Sequence, residues 1–157
     1  MVMETISRTQ LARRTREVIE AARRRGPVMV ESYGQEQVAV LDALDFRLLR
    51  AAATHRNRAA RSDAPRGHGA AGTEPLGLTE AEVQACVDRA GGDVQAGWNL
   101  VLEAYLTGDT SLGRTAELLR MSRWELQDRL ERLGIALQDA PEDMASAVDE
   151  AAALRSE

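Results

Sequence analysis

Apolar residues recur along this chain in two rhythms, and the change from one to the other marks out its elements. Leu11, Thr15, Val18, Ile19 and Ala22 fall on one side of a helix, and Ser7 with Gln10 ahead of them fits a capping box. Gly26 and Pro27 stop that helix. "VMVES" and "QVAVL" then alternate as β-branched runs around Tyr33, Gly34 and Gln35, the pattern of a hairpin, and a short helix with Phe46, Leu48 and Leu49 follows. With a short strand at residues 4 to 6, this module is too small to bury much surface alone, so the pattern predicts dimerisation.

Residues 54 to 77, "THRNRAARSDAPRGHGAAGTEPLG", carry no apolar period and read as a flexible linker that contains both histidines, His55 and His68. Beyond it the rhythm is helical throughout. Thr79 and Glu82 offer a second capping box, and Trp98, Val101, Leu102 and Tyr105 share one face of a helix that Gly108 stops. "SLGRTAELLRMSRWELQDRLERLGI" then reads as helix, tight turn and helix. Ser111 caps the first of these, with Leu112, Ala116 and Leu119 inward; Ser122 caps the second, with Glu125 reaching back. At about 100° per residue Leu126, Leu130 and Leu133 line the buried side of the last helix, leaving Gln127, Asp128 and Glu131 around Trp124 on the outward face. The tail reads as helical from Pro141, where Met144, Val148, Ala151 and Ala152 keep helical spacing.

The expected fold class is therefore α+β: a helix plus β-hairpin module over residues 1–53, a linker over 54–77, an all-α helix-turn-helix-like domain over 78–137 and an acidic tail over 138–157. With aromatics at 3%, the cores must be built from Leu, Val, Ile, Met and Ala.

Charge divides the chain in the same place. Residues 1–62 carry a net +5 and residues 63–157 a net −10, within a total of −5 over 157 residues. The single cysteine, Cys86, excludes an internal disulfide and is expected to pack as a small core residue, and two histidines cannot build a metal cluster. No paired carboxylates at a defined spacing, phosphate loop or usable cysteine-histidine pair points to an enzyme, so catalytic residues, metal and cofactor are all expected to be none. No apolar run approaches the ~20 residues of a membrane span, and the N-terminus lacks a secretory pattern, so a cytoplasmic protein without membrane contact is expected.

Two chemistries stand out. Arg8, Arg13, Arg14 and Arg16 gather near the start of the first helix, where arginine can grip phosphate bidentately, which makes them the candidate DNA-binding set. The last helix is the opposite: an indole between the carboxylates of Asp128 and Glu131 suits a protein interface, because acids oppose the phosphates that flank a major groove. The tail adds Asp139, Glu142, Asp143, Asp149 and Glu150 as acids, with Arg155 as its one cation.

"TIS" before the first helix, "GPVMV" into the hairpin and "VAVLDALDF" after it resemble, in that succession, the Phd/YefM family of antitoxins over residues 3 to 50. The resemblance implies a homodimer or higher homo-oligomer that binds operator DNA as a repressor of its own operon, while C-terminal sequence engages a toxin. The chain departs from the family at Ser32 and Tyr33, where a basic residue is common. The stretch from Ser111 to Ile135 resembles a second, uncharacterised antitoxin-like family with a pattern close to S-L-G-x-A-A-E-L, then S-R-x-E-F, then R-G-I and an acidic tail; Thr115, Leu126 and Leu133 depart from it. Members are commonly encoded beside PIN-domain toxins, a metal-dependent ribonuclease fold, so the resemblance implies a PIN-domain toxin as partner. The expectation is a type II antitoxin whose toxin contacts are Trp124, Asp128, Glu131 and the tail residues Asp139, Glu142, Asp143, Asp149, Glu150 and Arg155. The alternative is a free-standing helix-turn-helix transcriptional regulator without a toxin.

Overall fold

The computed structural model describes residues 4–61 and 77–137. Among these the fold is mixed α+β, with one three-stranded sheet and seven helices. β1 (Glu4–Ser7) runs directly into α1 (Arg8–Arg13), where the capping box forms: Ser7 Oγ accepts from the Gln10 N–H at 3.2 Å and Gln10 Oε1 from the Ser7 N–H at 2.8 Å. The single helix expected from Leu11 to Ala22 is two. Arg14 leaves helical backbone at φ −129°, ψ 33°, and α2 (Thr15–Arg25) starts afresh. Val18 and Ala22, one turn apart, are buried against the sheet, whereas Ile19, rotated about 100° from Val18, is exposed, as is Thr15 at the first position of α2.

β2 (Val28–Ser32) is the central strand, parallel to β1 and antiparallel to β3 (Gln35–Val40). Tyr33 and Gly34 form the whole turn, both at positive φ as a two-residue hairpin requires, and Gln35 already belongs to β3. Ile6, Val28 and Val30 meet Val18 and Ala22 in a core of five buried residues, none larger than isoleucine.

α3 (Ala43–Arg61) is the main departure from the sequence reading. Instead of a short helix it runs 19 residues, through positions 54–61 that composition assigned to the linker. Its Ala and Arg residues are strong helix formers even without an apolar stripe. Leu48 and Ala51 on its inner face are fully buried against α5. Phe46 is half exposed with the Arg50 guanidinium 5.8 Å from its ring centre. His55 sits on this helix, its Nδ1 buried without a hydrogen-bond partner, while His68 and the remainder of the linker lie outside the described residues.

α4 (Glu80–Arg89), α5 (Val94–Thr107), α6 (Leu112–Leu118) and α7 (Arg123–Arg132) follow. Thr79 and Glu82 form the second capping box, and Ser111 and Ser122 cap α6 and α7 through the N–H groups of Arg114 and Glu125. Gly108 ends α5 at φ 82°. Trp98, Val101, Leu102 and Tyr105 of α5 pack with Leu112, Ala116, Leu119, Leu126 and Leu130, and with Leu48 and Ala51 from α3. The helical core is thus completed by a helix from the N-terminal stretch. Leu133 and Cys86 are only partly buried, the Cys86 Sγ 3.7 Å from the Ala96 carbonyl. No helix among the described residues is long and apolar enough to cross a membrane.

Candidate functional site

α7 presents two faces of opposite character. Leu126 and Leu130 point inward and are fully buried, so the first turn carries Trp124 outward, 78% exposed. Beside it Asp128 and Glu131 are exposed, Glu131 accepting a hydrogen bond from Gln127 Nε2 at 2.8 Å and Asp128 pairing with Arg132 at 3.3 Å. Trp124, Asp128 and Glu131 therefore do share one surface, as the helical spacing predicted.

Arg8, Arg13, Arg14 and Arg16 are all exposed, but the break at Arg14 distributes them over two helices. Arg8 is the first residue of α1 and Arg16 lies in the first turn of α2. Acids interleave with them: Arg14 pairs with Glu17 at 3.7 Å, and Arg16 shares a shallow groove with Glu4, Glu17 and Glu20. The neighbouring Arg23, Arg24 and Arg25 pair with Asp42, Glu20 and Glu4, each at 3.6 Å. Asp139, Glu142, Asp143, Asp149, Glu150 and Arg155 lie outside the described residues.

Sequence reasoning missed the polar cluster that joins these two surfaces. Asp45, fully buried near the start of α3, accepts from Arg129 Nη1 and, at 2.9 and 3.1 Å, from Arg132 Nη2. Asp42 caps α3 by accepting the Leu44 N–H at 2.9 Å and also accepts from Arg129 Nη1 at 2.9 Å. Glu125, expected to reach back to the cap, turns instead to Arg129 at 3.0 and 3.2 Å. Arg132 Nη1 donates to the Arg24 carbonyl at the end of α2, at 3.2 Å. Burial raises the Asp42 pKa, but the Leu44 N–H and the Arg129 charge outweigh it and hold the carboxyl below its usual range. Burial likewise disfavours the Arg129 charge, yet its hydrogen bonds to Asp45 and Glu125 leave the guanidinium pKa raised. One signal for this cluster was present: Asp42 and Asp45, and Arg129 and Arg132, are both three residues apart, so each pair occupies one helix face.

No protein-family profile, curated protein or solved structure matches the chain. Among the described residues no group of three or more metal-ligating side chains is present. What the arrangement offers is surface: an indole framed by carboxylates on α7, exposed arginines on α1 and α2, and a buried ionic joint between them.

Proposed function

We propose that this chain is the antitoxin of a type II toxin-antitoxin pair, neutralising a PIN-domain ribonuclease by direct binding and repressing its own operon. The observation that carries the reading is Trp124, an exposed indole beside Asp128 and Glu131 on the helix that a DNA-reading helix-turn-helix would turn toward the groove. A ribonuclease presents positive charge to its RNA, and an acidic, aromatic surface is complementary to that charge. The −5 segment 138–157 extends the same complementarity by competing for the phosphate-binding groove, and Arg155 pairs with the carboxylates that hold the toxin's metal. Operator binding falls to Arg8, Arg13, Arg14 and Arg16 on the opposite module, in a dimer that offers two such sets to a palindrome.

The test is co-expression with any PIN-domain ribonuclease that a neighbouring gene encodes. Suppression of growth arrest together with a co-purifying complex supports the reading. Normal growth arrest in the presence of full-length, folded chain overturns it, and promoter binding without any toxin effect would favour a free-standing regulator.

A further inference from the structure

We propose that the Trp124 face of α7 also binds a second copy of this chain, each copy seating its Trp124 in the apolar groove between α4, α5 and α6 of the other. The proposal rests on reading that face as protein-binding, and it names the occupant in the protein without toxin. Two features carry it. The first is the exposed indole. The second is a groove of about 380 Å³ whose apolar lining comes from Val83 and Val87 of α4, Val94 and Trp98 of α5, and Leu118 and Leu119 at the end of α6, with Glu80, Gln84 and Arg120 as its polar part. Val94, at 51% exposure, leaves apolar surface open at its rim.

Indole and groove stand close in the chain. Arg120, at φ 57° in the tight turn after α6, borders the groove, and Trp124 follows four residues later in the first turn of α7. An isologous two-fold contact needs a patch that meets itself, so that a projection and its recess lie side by side and both are satisfied at once. The charges agree. Arg120 pairs with Glu80 at 3.3 Å, with both side chains more than three-quarters exposed. Such a surface pair contributes little, so Arg120 can turn to the Asp128 or Glu131 that flanks an arriving Trp124. Two indoles bury roughly 300–500 Å² between them, short of the roughly 1,200–2,000 Å² of a specific stable interface. The contact is therefore weak, concentration-dependent and able to yield to a toxin on the same face.

The test is sedimentation equilibrium of the full chain over a dilution series, compared with Trp124→Ala, Val94→Arg, the exposed charge reversal Arg120→Glu, and an equimolar mixture of the first two. The expected result is a doubling of mass with concentration, beyond any pairing through the sheet module. Each variant should weaken that step by about tenfold or more. The mixture should recover part of it, because one indole and one groove remain intact. Wild-type association by Trp124→Ala overturns the proposal, as does a loss confined to that variant, which would mean that the indoles meet each other and not the groove. Absence of the step, with Trp124→Ala still weakening the toxin complex, overturns the second copy while the protein-binding reading stands. If Trp124→Ala weakens only DNA binding, both fall.

Discussion

Asp45 accepts from Arg132 through both carboxylate oxygens, at 3.1 and 2.9 Å, although the two residues stand 87 positions apart. The pair ties the start of α3 to the end of α7. Removing one partner of a buried ion pair leaves the other charge stranded, which costs about 3–5 kcal/mol, whereas replacing the whole set by apolar side chains of similar size is often neutral. Asp45→Ala should therefore shift urea unfolding by about that amount, and Asp45→Leu with Asp42→Asn, Arg129→Met and Arg132→Met, which removes the buried charges together, should destabilise clearly less. Equal effects would mean that the cluster acts by packing volume and not by charge.

Gly26 is the second consequence of that joint. Its φ of 104° with ψ −166° is a region open essentially to glycine, and a Cβ there would lie 2.9 Å from Arg132 Cδ. Gly26→Ala should cost about 1–3 kcal/mol from backbone strain, plus a steric part. In a double-mutant cycle with Arg132→Ala the steric part should vanish and the strain remain, so the double variant should be destabilised by less than the sum of the two single variants. Strict additivity would show that Arg132 moves aside without effect.

Asp42 sets a pH dependence with a definite sign. Its carboxyl is held below the usual range in the folded chain by the Leu44 N–H and Arg129, so folding favours its ionised form. That contribution is fully present above the ordinary carboxylate pKa and is lost as pH falls through the lower folded value. Melting temperature should drop in wild type between about pH 5 and pH 3, and less steeply in Asp42→Asn. Parallel curves would assign the acid sensitivity to other carboxylates.

The legible parts of this fold were those decided by neighbours in sequence. Ser7 with Gln10, Thr79 with Glu82, Ser111, Ser122 and Gly108 each act within a few residues, and Leu126 with Leu130 follow from helical period alone. The outward position of Trp124 follows from the same period. The break at Arg14 was hidden because Leu11, Val18 and Ala22 stay in phase across it. The length of α3 was hidden because alanine and arginine favour a helix without producing a stripe, and Leu48 and Ala51 find their partners in α5, some fifty residues on. Asp45, Arg129 and Arg132 look like ordinary surface charges until the helices meet; only the matched spacing of three hints otherwise.

The exposed arginines of α1 and α2 underlie the operator prediction. Arg8→Ala, Arg13→Ala and Arg14→Ala together should weaken promoter binding without changing the melting temperature, because all three side chains are exposed and the Arg14–Glu17 pair, at 3.7 Å, is a surface one. The slope of log affinity against log salt should flatten by about 0.9 for each phosphate that is no longer neutralised. An unchanged slope in a salt-titrated gel shift would remove these residues from the DNA interface.

Deleting residues 138–157 separates the two proposed activities, since it removes six acids and one arginine from a chain whose basic residues lie mainly at the other end. Leu137, the last described residue, still packs partly against the helical core, so the cut leaves Leu126, Leu130 and their neighbours covered. The truncated chain should keep its fold and its promoter binding, with affinity unchanged or higher, because a −5 segment opposes phosphate contact. It should fail to relieve toxin growth arrest. Full relief would place the toxin interface on Trp124, Asp128 and Glu131 alone. A collapse of promoter binding would instead show that the acidic end serves the DNA-bound state, and the division into a DNA module and a toxin module would be wrong.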